Sequence, residues 1–331
     1  MKPSRVTMRQ VAAEAGVAVM TVSYTYTRPE RVAASTRARV LEAAERLGYR
    51  GPDPVARSLR RGSTGNLGVV LGEHLTYAFE DSQAARFLAG VSQVCVQHQL
   101  GLVLIPSTGE PDDVDRVREA AVDGFVLWTT VDDDPVLDVV AATGRPAAIQ
   151  GGPARPGVQL VAADDRRAAR AIAGQLLTDA HAPLVLSHPL DRQRWAGLLW
   201  GPPTEVPFPV TRTRLAGYRD AVEDSGRRWA DVPVAVVARH SRDAGRQAVA
   251  AALEDVHPDA VITMSDQLAA GALDALGPSA RVSGWDDSDL ARTLGFSSVR
   301  QSLFDQGTTC ARIAAGLATT ADPVPWTLAV R

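Results

Sequence analysis

Hydrophobic positions near the start of the chain repeat with the period of a helix, in two short blocks. The apolar positions of these blocks are Val11, Ala12 and Ala15, followed by Val19 and Val22. Thr7 and Gln10 have the spacing of a capping box, and Gly16 is suited to the left-handed residue that ends a helix. The pattern predicts two short helices joined by a tight turn, which is the arrangement of a helix-turn-helix unit. The alternative is an ordinary helical corner within a larger domain.

A third helix is predicted from about Ser35 to Leu47, with Gly48 at its end. Its apolar positions complete a small core with those of the first two helices. The expected core residues are Val11, Ala15, Val22, Val40, Leu41, Ala44 and Leu47. Residues 1–48 are therefore predicted to form a three-helix headpiece of the kind that binds DNA.

Residues 49–63 form a basic linker after this headpiece. Asp53 is a good N-cap and Pro54 suits the first helical position, so a short helix over residues 54–60 is one interpretation. A helix of this length is unstable alone in water. The linker is thus either disordered or a hinge segment that becomes helical when DNA orders it.

From Asn66 the pattern changes to short apolar strands that alternate with amphipathic helices. Strands are predicted at 67–71, 102–105, 124–129, 147–149, 158–162, 184–187, 234–238, 260–264 and 281–284, and helices at 83–98, 112–122, 134–142, 166–178, 211–225, 242–253, 266–276 and 303–318. This alternation indicates an α/β fold of doubly wound parallel sheets. Residues 64–331 exceed one comfortable core, so two subdomains are expected, approximately 66–179 with 302–318 and 180–300 with 319–331.

Charge is divided unevenly along the chain. Residues 1–63 carry a formal charge of +7, which leaves −10 for the remainder of a chain whose net charge is −3. A basic headpiece on an acidic body favours a polyanionic partner for the headpiece alone. The sequence shows neither an apolar run long enough to span a bilayer nor a charged-then-apolar leader, so no membrane partner is expected and a cytoplasmic location is predicted.

The motifs of several enzyme classes are missing from the sequence. Lys2 is the only lysine, which excludes a Walker-type phosphate lysine and a Schiff-base lysine. There is no Gly-x-Ser-x-Gly, and no Gly-x-Gly-x-x-Gly follows the first predicted strand. The histidines are scattered, without cysteine pairs or His-Glu-x-x-His, and Cys95 and Cys310 are predicted to be buried thiols. No catalytic residue, metal or cofactor is predicted.

Four groups of residues, in order along the chain, resemble the LacI (lactose/galactose repressor) family of bacterial transcription regulators. They are Val6–Tyr24, Arg31–Arg37, Leu47–Tyr49 and Ala56–Leu59. The βα body is also similar to that family's periplasmic-binding-protein-like effector domain. The resemblance implies a repressor that binds a pseudo-palindromic operator in double-stranded DNA as a homodimer and responds to a small-molecule effector, a sugar or related metabolite. The alternatives are a regulator whose ligand tightens DNA binding and a solute-binding protein, which would need a signal peptide and has no use for a basic headpiece.

The resemblance also implies which residues contact DNA, since the second helix reads bases in this family. They are Thr7, Met8, Val19, Met20, Thr21, Ser23, Tyr24, Ala56, Arg57 and Leu59. Leu59 falls at the hinge position where paired leucines wedge into the minor groove and kink the operator. Ala18 stands where many members have a helix-capping serine, and Tyr24 stands where an arginine is frequent. Apolar contacts, for instance to thymine methyl groups, are therefore expected to dominate base reading.

The implied effector site lies at the carboxyl ends of strands, between the two subdomains. Its residues are Phe79, Asp164, Asp165, Arg214, His240, Ser265, Asp286 and Gln301. Carboxylates and a guanidinium can form paired hydrogen bonds with vicinal hydroxyls, and Phe79, Trp128 or Trp285 can stack on a sugar face. Helix capping is the alternative role for Asp164 and Asp165. A solvated loop position is the alternative for His240, and Ser265 replaces a frequent asparagine.

Overall fold

Residues 6–52, 62–72, 81–203 and 205–331 are described by the structure, which is a computed structural model. They belong to two units with separate hydrophobic cores, residues 1–64 and residues 65–331. In its described part the first unit is helical, whereas the second is built from two α/β subdomains.

The headpiece contains the helices α1 (Met8–Ala15), α2 (Val19–Thr27) and α3 (Ala34–Leu47), with a 3₁₀ turn at Pro29–Arg31. The predicted capping box starts α1, because the Thr7 side chain accepts from the Gln10 backbone N–H and Gln10 Oε1 accepts from the Thr7 N–H at 2.9 Å. Gly16 and Gly48 end α1 and α3 in the left-handed conformation, with φ of 61° and 69°. The three predicted helices and their glycine ends are confirmed.

Small apolar side chains fill the headpiece core. The buried members are Val11, Ala12, Val22, Val40, Ala43 and Ala44, with Ala15 and Leu47 partly buried against them. Leu41 is instead 41% exposed, so its predicted place in the core is wrong. The buried face of α3 runs through Val40, Ala43 and Ala44, and Leu41 lies about 100° around the helix from Val40, on the side of the solvent.

The first core subdomain contains a five-stranded sheet covered by helices. Its elements are β1 (Asn66–Leu71), α4 (Ser82–Gln97), β2 (Gly101–Pro106), α5 (Asp113–Glu119), β3 (Gly124–Leu127), α6 (Pro135–Ala142), β4 (Ala147–Gln150), β5 (Gln159–Val161) and, from the end of the chain, α12 (Leu303–Ala314). The strand order is β2-β1-β3-β4-β5, and every pairing is parallel. Helices α4 and α12 approach so closely that a Cβ at Gly90 would lie 2.0 Å from the Phe304 carbonyl oxygen.

The second core subdomain contains a seven-stranded sheet. Its elements are α7 (Asp165–Leu177), β6 (Pro183–Ser187), β7 (Gly197–Trp200), α8 (Pro209–Asp224), β8 (Pro233–Val236), α9 (Arg242–Ala252), β9 (Ala260–Thr263), α10 (Asp266–Leu276), β10 (Arg281–Trp285), α11 (Asp289–Leu294), β11 (Ser297–Arg300) and β12 (Thr327–Ala329). The strand order is β12-β11-β10-β9-β6-β8-β7, and the edge strands β7 and β12 are antiparallel to their neighbours. The helices pack as two pairs, α7 with α8 and α9 with α10. The predicted α/β class with two doubly wound sheets is confirmed.

Besides a 3₁₀ turn at Trp229–Asp231, four elements of this subdomain were not predicted from the sequence, namely β7, α11, β11 and β12. Each is three to six residues long. The strands β7 and β12 lie at the sheet edges, where one side of the strand has no partner strand. In contrast to the fully buried strands β6, β8 and β9, the strands β7, β11 and β12 bury at most two residues each.

The packing of α7 corrects the expected division between the subdomains near residue 179. This helix packs against α8 and against β9 to β12, all in the second subdomain. Its apolar side chains Ala168, Ile172 and Leu177 belong to the core of that subdomain. The chain therefore passes to the second subdomain after β5 and before α7, because the apolar face of α7 matches the second sheet.

The remaining predictions on composition concern cysteines and membranes. Cys95 in α4 and Cys310 in α12 are buried, as predicted. Within the described ranges, no helix combines the length and hydropathy needed to cross a membrane.

Candidate functional site

Helix α2 presents an apolar N-terminal surface in the headpiece. Val19 is 43% exposed and Met20 is 60% exposed at the start of the helix. Ala18, at the N-cap, makes no side-chain hydrogen bond to the first turn. The first turn of α2 therefore combines exposed methyl and thioether groups with backbone N–H groups that no side chain at the cap satisfies.

The other residues of the headpiece that are predicted to contact DNA differ in how exposed they are. Thr21, Ser23 and Tyr24 are half-buried on α2. Thr7 is exposed, with its hydroxyl in the capping box, whereas Met8 packs partly against the headpiece core. Thr7 thus caps a helix and Met8 contributes to the core, and both roles are compatible with a contact to the phosphate backbone of DNA.

Several predicted site residues cannot be placed by this structure. Ala56, Arg57 and Leu59 of the hinge and Phe79 of the effector site lie outside the described residues. Their roles stay predictions.

A cluster of polar side chains lies at the carboxyl ends of the strands in the second subdomain. His188 follows β6, Ser265 follows β9, Asp286 follows β10 and Gln301 follows β11. In doubly wound sheets this edge is where ligands bind, because the strand ends and helix N-termini converge there. We call this cluster, together with Asp81, Asp165, Arg214 and His240, the effector cleft.

Arg214 is a buried cation of the effector cleft and is held by several contacts. It lies on α8 and is only 7% exposed. Its Nη1 donates to the Met264 carbonyl at 2.7 Å, and its Nε donates to Asp165 Oδ2 at 3.4 Å. Its guanidinium carbon lies 3.8 Å from the centre of the Trp285 ring. These contacts hold the guanidinium in one orientation, with its charge placed at the strand ends.

The two adjacent aspartates at the start of α7 have different roles. Asp164 is exposed and accepts from the Arg167 backbone N–H at 3.1 Å, so it caps the helix. The Asp165 side chain is 13% exposed and turns to Arg214. Burial raises the pKa of Asp165, and the Arg214 charge opposes that increase. The structure thus brings Asp165 into the cleft and leaves Asp164 as a cap.

Asp286 ends a chain of side-chain amides that connects the two subdomains. Gln301 Nε2 donates to Asp286 Oδ1 at 2.9 Å, Gln306 Nε2 donates to Gln301 Oε1 at 3.2 Å, and Gln150 Nε2 donates to Gln306 Oε1 at 3.1 Å. Burial, aided by the nearby Asp266 charge, raises the pKa of Asp286 to about 7. Its φ of 102° is in the region that non-glycine residues rarely adopt, which marks a constrained position.

His240 is held between two residues rather than exposed in a loop. Its Nδ1 lies 2.8 Å from Asp81 Oδ2, and its Nε2 lies 2.6 Å from Ser265 Oγ. Burial lowers the pKa of His240, but the hydrogen bond and charge of Asp81 outweigh burial and leave that pKa raised. His188 packs edge-to-face on His240, with ring centres 4.9 Å apart. Burial, followed by the His240 charge, sets the pKa of His188 well below its usual value. His240 therefore carries the proton of this pair.

Asp81 is a site residue that sequence reasoning missed. It is the N-cap of α4 and accepts from the Gln83 backbone N–H at 2.7 Å. An aspartate before the helical pattern at 83–98 is a recognisable cap signal. Its contact with His240, which is 159 residues away, has no local signal.

The aromatic residues expected to stack on a ligand are used differently. Trp285 is fully buried beneath Arg214, so its predicted role as a stacking surface is wrong. Trp128 is half-buried and packs edge-to-face against Phe87, with ring centres 4.8 Å apart.

Asp81, His240 and Ser265 contact one another in the same sequence as the aspartate, histidine and serine of a hydrolase triad. Ser265, however, caps a helix. Its hydroxyl accepts from the Leu268 backbone N–H at 3.2 Å and caps α10, and the residue is 2% exposed. An attacking serine needs an accessible oxygen. Within the described ranges, no group of three or more His, Cys, Asp or Glu residues could hold a metal ion.

Comparison with known proteins agrees with this geometry. Residues 7–51 match the family described as bacterial regulatory proteins of the lacI family, and residues 64–321 match the periplasmic binding proteins and sugar binding domain of the LacI family. The chain therefore belongs to the LacI family. It is a DNA-binding transcriptional regulator with a helix-turn-helix, and it is not an enzyme.

Individual relatives span almost the whole chain. The HTH-type transcriptional regulator IpsA of Corynebacterium glutamicum is 37% identical over 310 residues, which covers 89% of this chain and 86% of the relative. The crystal structure of a LacI-family transcriptional regulator from Corynebacterium glutamicum matches with a TM-score of 0.72 and 28% identity, covering 97% of this chain and 96% of the other. A complex of the transcriptional regulator CelR with cellobiose matches with a TM-score of 0.65 and 25% identity, covering 99% of each chain.

Proposed function

We propose that this regulator is a repressor whose hold on a pseudo-palindromic operator is controlled by a small polyhydroxylated effector, a sugar or related metabolite. The observation that carries the proposal is the position of Arg214, which is fixed by Asp165, Met264 and Trp285 at the strand ends. A guanidinium held this rigidly is prepared for paired hydrogen bonds with a ligand.

The DNA-binding half of the proposal rests on the headpiece. Val19 and Met20 are exposed at the start of α2, where a recognition helix contacts base edges. Apolar groups there suit contacts with thymine methyl groups. Thr7, Met8, Thr21, Ser23 and Tyr24 complete the headpiece surface, and Ala56, Arg57 and Leu59 are proposed to form the minor-groove hinge. A homodimer places two headpieces on two half-sites, and binding to DNA places the protein in the cytoplasm.

The effector half of the proposal rests on the charge of the cleft. Asp165 faces Arg214, and Asp81 faces His240, so both cations already have an anionic partner. Asp286 adds a third carboxyl group. A phosphate would meet a site with no surplus positive charge, whereas hydroxyl groups can donate to carboxylates and accept from Arg214. The proposed effector is therefore uncharged, with Ser265 and Gln301 as further polar contacts.

The experiment combines operator selection with a ligand screen. Operator duplexes selected from a random library are bound by the full-length protein, and fluorescence anisotropy follows binding during titration with neutral sugars and polyols and with their phosphate esters. Release by a neutral polyol supports the inducer form of the proposal. Tightening by the same ligand identifies a corepressor, and a response to phosphate esters alone overturns the proposed effector chemistry.

A further inference from the structure

We infer that Asp81 and His240 form a proton-dependent latch that holds the two core subdomains together across the effector cleft. The inference goes beyond the proposed function, because it concerns the closure of the core and needs no effector.

The two residues come from different subdomains. Asp81 begins α4 of the first subdomain, and His240 lies between β8 and α9 of the second. Their Oδ2 and Nδ1 atoms are 2.8 Å apart, and the side chains are only 4% and 12% exposed. A charged pair that is shielded from water in this way interacts more strongly than a surface pair.

Both partners are held in place by the ends of helices. The other carboxylate oxygen of Asp81, Oδ1, accepts from the Gln83 and Ala84 backbone N–H groups at 2.7 and 3.4 Å. The other ring nitrogen of His240, Nε2, contacts the Ser265 hydroxyl that caps α10. The contact thus connects the N-terminus of α4 to the N-terminus of α10. Movement of one subdomain away from the other must break it.

Asp81 contributes most to the raised pKa of His240 among the residues that the structure describes. Within the described ranges, Arg214 on α8 opposes a charge on His240, and His188 after β6 and His240 oppose each other's charges. Asp286 after β10 favours that charge, and Ser265 is uncharged. Because His188 has its pKa well below the usual value, it stays neutral at the pH at which His240 is charged.

The direction of the pH effect follows from proton linkage. The closed form has a raised pKa at His240, because Asp81 is in contact with it. An open form lacks that contact and binds the proton less tightly. Closure is therefore favoured at low pH and weakens as the pH rises through the raised pKa.

Other ionic contacts between the subdomains, among the residues that the structure describes, pair arginine with aspartate. Arg212 binds Asp132 through both oxygens, and Arg192 binds Asp133. The reference pKa values of aspartate and arginine side chains lie outside the range from about pH 6 to pH 9. Contacts of this kind therefore serve as a comparison for the latch.

The test measures a distance across the cleft in the full-length protein. Spin labels are attached through Arg118→Cys on α5 and Glu254→Cys after α9, two exposed positions in different subdomains. Cys95 and Cys310 are buried and remain unlabelled. Labelled protein is diluted with unlabelled protein so that pulsed electron resonance reports distances within one chain, at pH 6 and at pH 9.

If the latch exists, the two spin labels should show a single short distance at pH 6. At pH 9 the fraction of molecules with a longer distance between the labels, the open population, should be several-fold larger. Asp81→Asn keeps the shape but not the charge, so the open population is expected to be high at both pH values. His240→Gln is expected to give the same loss of pH response, and circular dichroism verifies that both variants are folded. Arg192→Gln is the matched control, which removes another contact between subdomains and keeps the pH response.

Two results overturn the inference. One is a wild-type distance distribution that does not change between pH 6 and pH 9. The other is an unchanged pH response in both Asp81→Asn and His240→Gln, which assigns the response to another group, such as Asp286. Neither result bears on whether a neutral polyol releases DNA, so the latch and the proposed function fail separately.

Discussion

The guanidinium of Arg214 lies over the buried indole of Trp285, 3.8 Å from its ring centre. The indole packs against the face of the guanidinium, while Nε and Nη1 of Arg214 donate to Asp165 and to the Met264 carbonyl. Trp285 therefore supports the proposed recognition of the effector by orienting Arg214. Removing either side chain should weaken the response to the effector more strongly than it weakens the affinity for DNA.

Arg214→Lys keeps the charge and removes the planar fork that contacts both Asp165 and Met264. We expect the effector response to weaken by 100-fold or more, roughly 3 kcal/mol, with operator affinity within a few-fold of wild type. Anisotropy titrations with effector and with operator measure the two quantities. Arg170→Ala, which removes an exposed arginine of α7 paired with Asp224, is the control and should change neither. An unchanged effector titration in Arg214→Lys removes Arg214 from the ligand contacts.

Ala18→Ser supplies the side-chain cap that α2 lacks. The hydroxyl can accept from an N–H of the first turn, and we expect the free energy of local opening of α2 to rise by about 1 kcal/mol. Hydrogen exchange of the α2 amides in the full chain measures the gain. Ala33→Ser is a matched substitution at the N-cap of α3, which is also without a side-chain cap, and should protect α3 alone. Equal protection of both helices by either variant would contradict a local capping effect.

Leu59→Ala tests the proposed minor-groove wedge. Loss of the wedge should weaken binding to the selected operator by about 10- to 100-fold and leave binding to random DNA nearly unchanged, because only a kinked site uses the wedge. Fluorescence anisotropy titrations of the operator and of random DNA, at several salt concentrations, measure the two affinities. Arg60→Ala is the control, which should weaken both interactions and reduce the salt slope. Equal weakening on the two DNAs by Leu59→Ala rejects the wedge.

Asp286→Asn tests the buried carboxyl group through the pH dependence of stability. The folded state holds a proton on Asp286 up to a pKa of about 7, whereas the unfolded carboxyl loses it near its usual pKa. The folded state thus binds more protons between these values, and the wild type loses stability as the pH rises through this window. The amide side chain of the variant does not titrate, so the variant should be more stable than wild type above pH 7 by on the order of 2–4 kcal/mol. Denaturant unfolding at pH 5 and pH 8 measures the difference, and a wild-type advantage at pH 8 would contradict the assignment.

The sequence by itself determined the elements that depend on neighbours within about one helical turn. The capping box of Thr7 and Gln10, the glycine ends of α1 and α3, and the alternation of strands and helices are of this kind. The capping box, the glycine ends and the alternation have a local physical cause, so a local pattern predicts them. Arg214, Asp165 and Asp286 were named as site residues through the family resemblance, which no local pattern replaces.

The tertiary structure alone decided which distant groups meet. The contact of Asp81 with His240, the support of Arg214 by Trp285, and the packing of α7 on the second sheet depend on segments far apart in the chain. The pKa of Asp286 likewise depends on burial and on the charge of Asp266, which no local window contains. Burial and electrostatics depend on distances in space, and here the fold brings together residues that the sequence keeps apart.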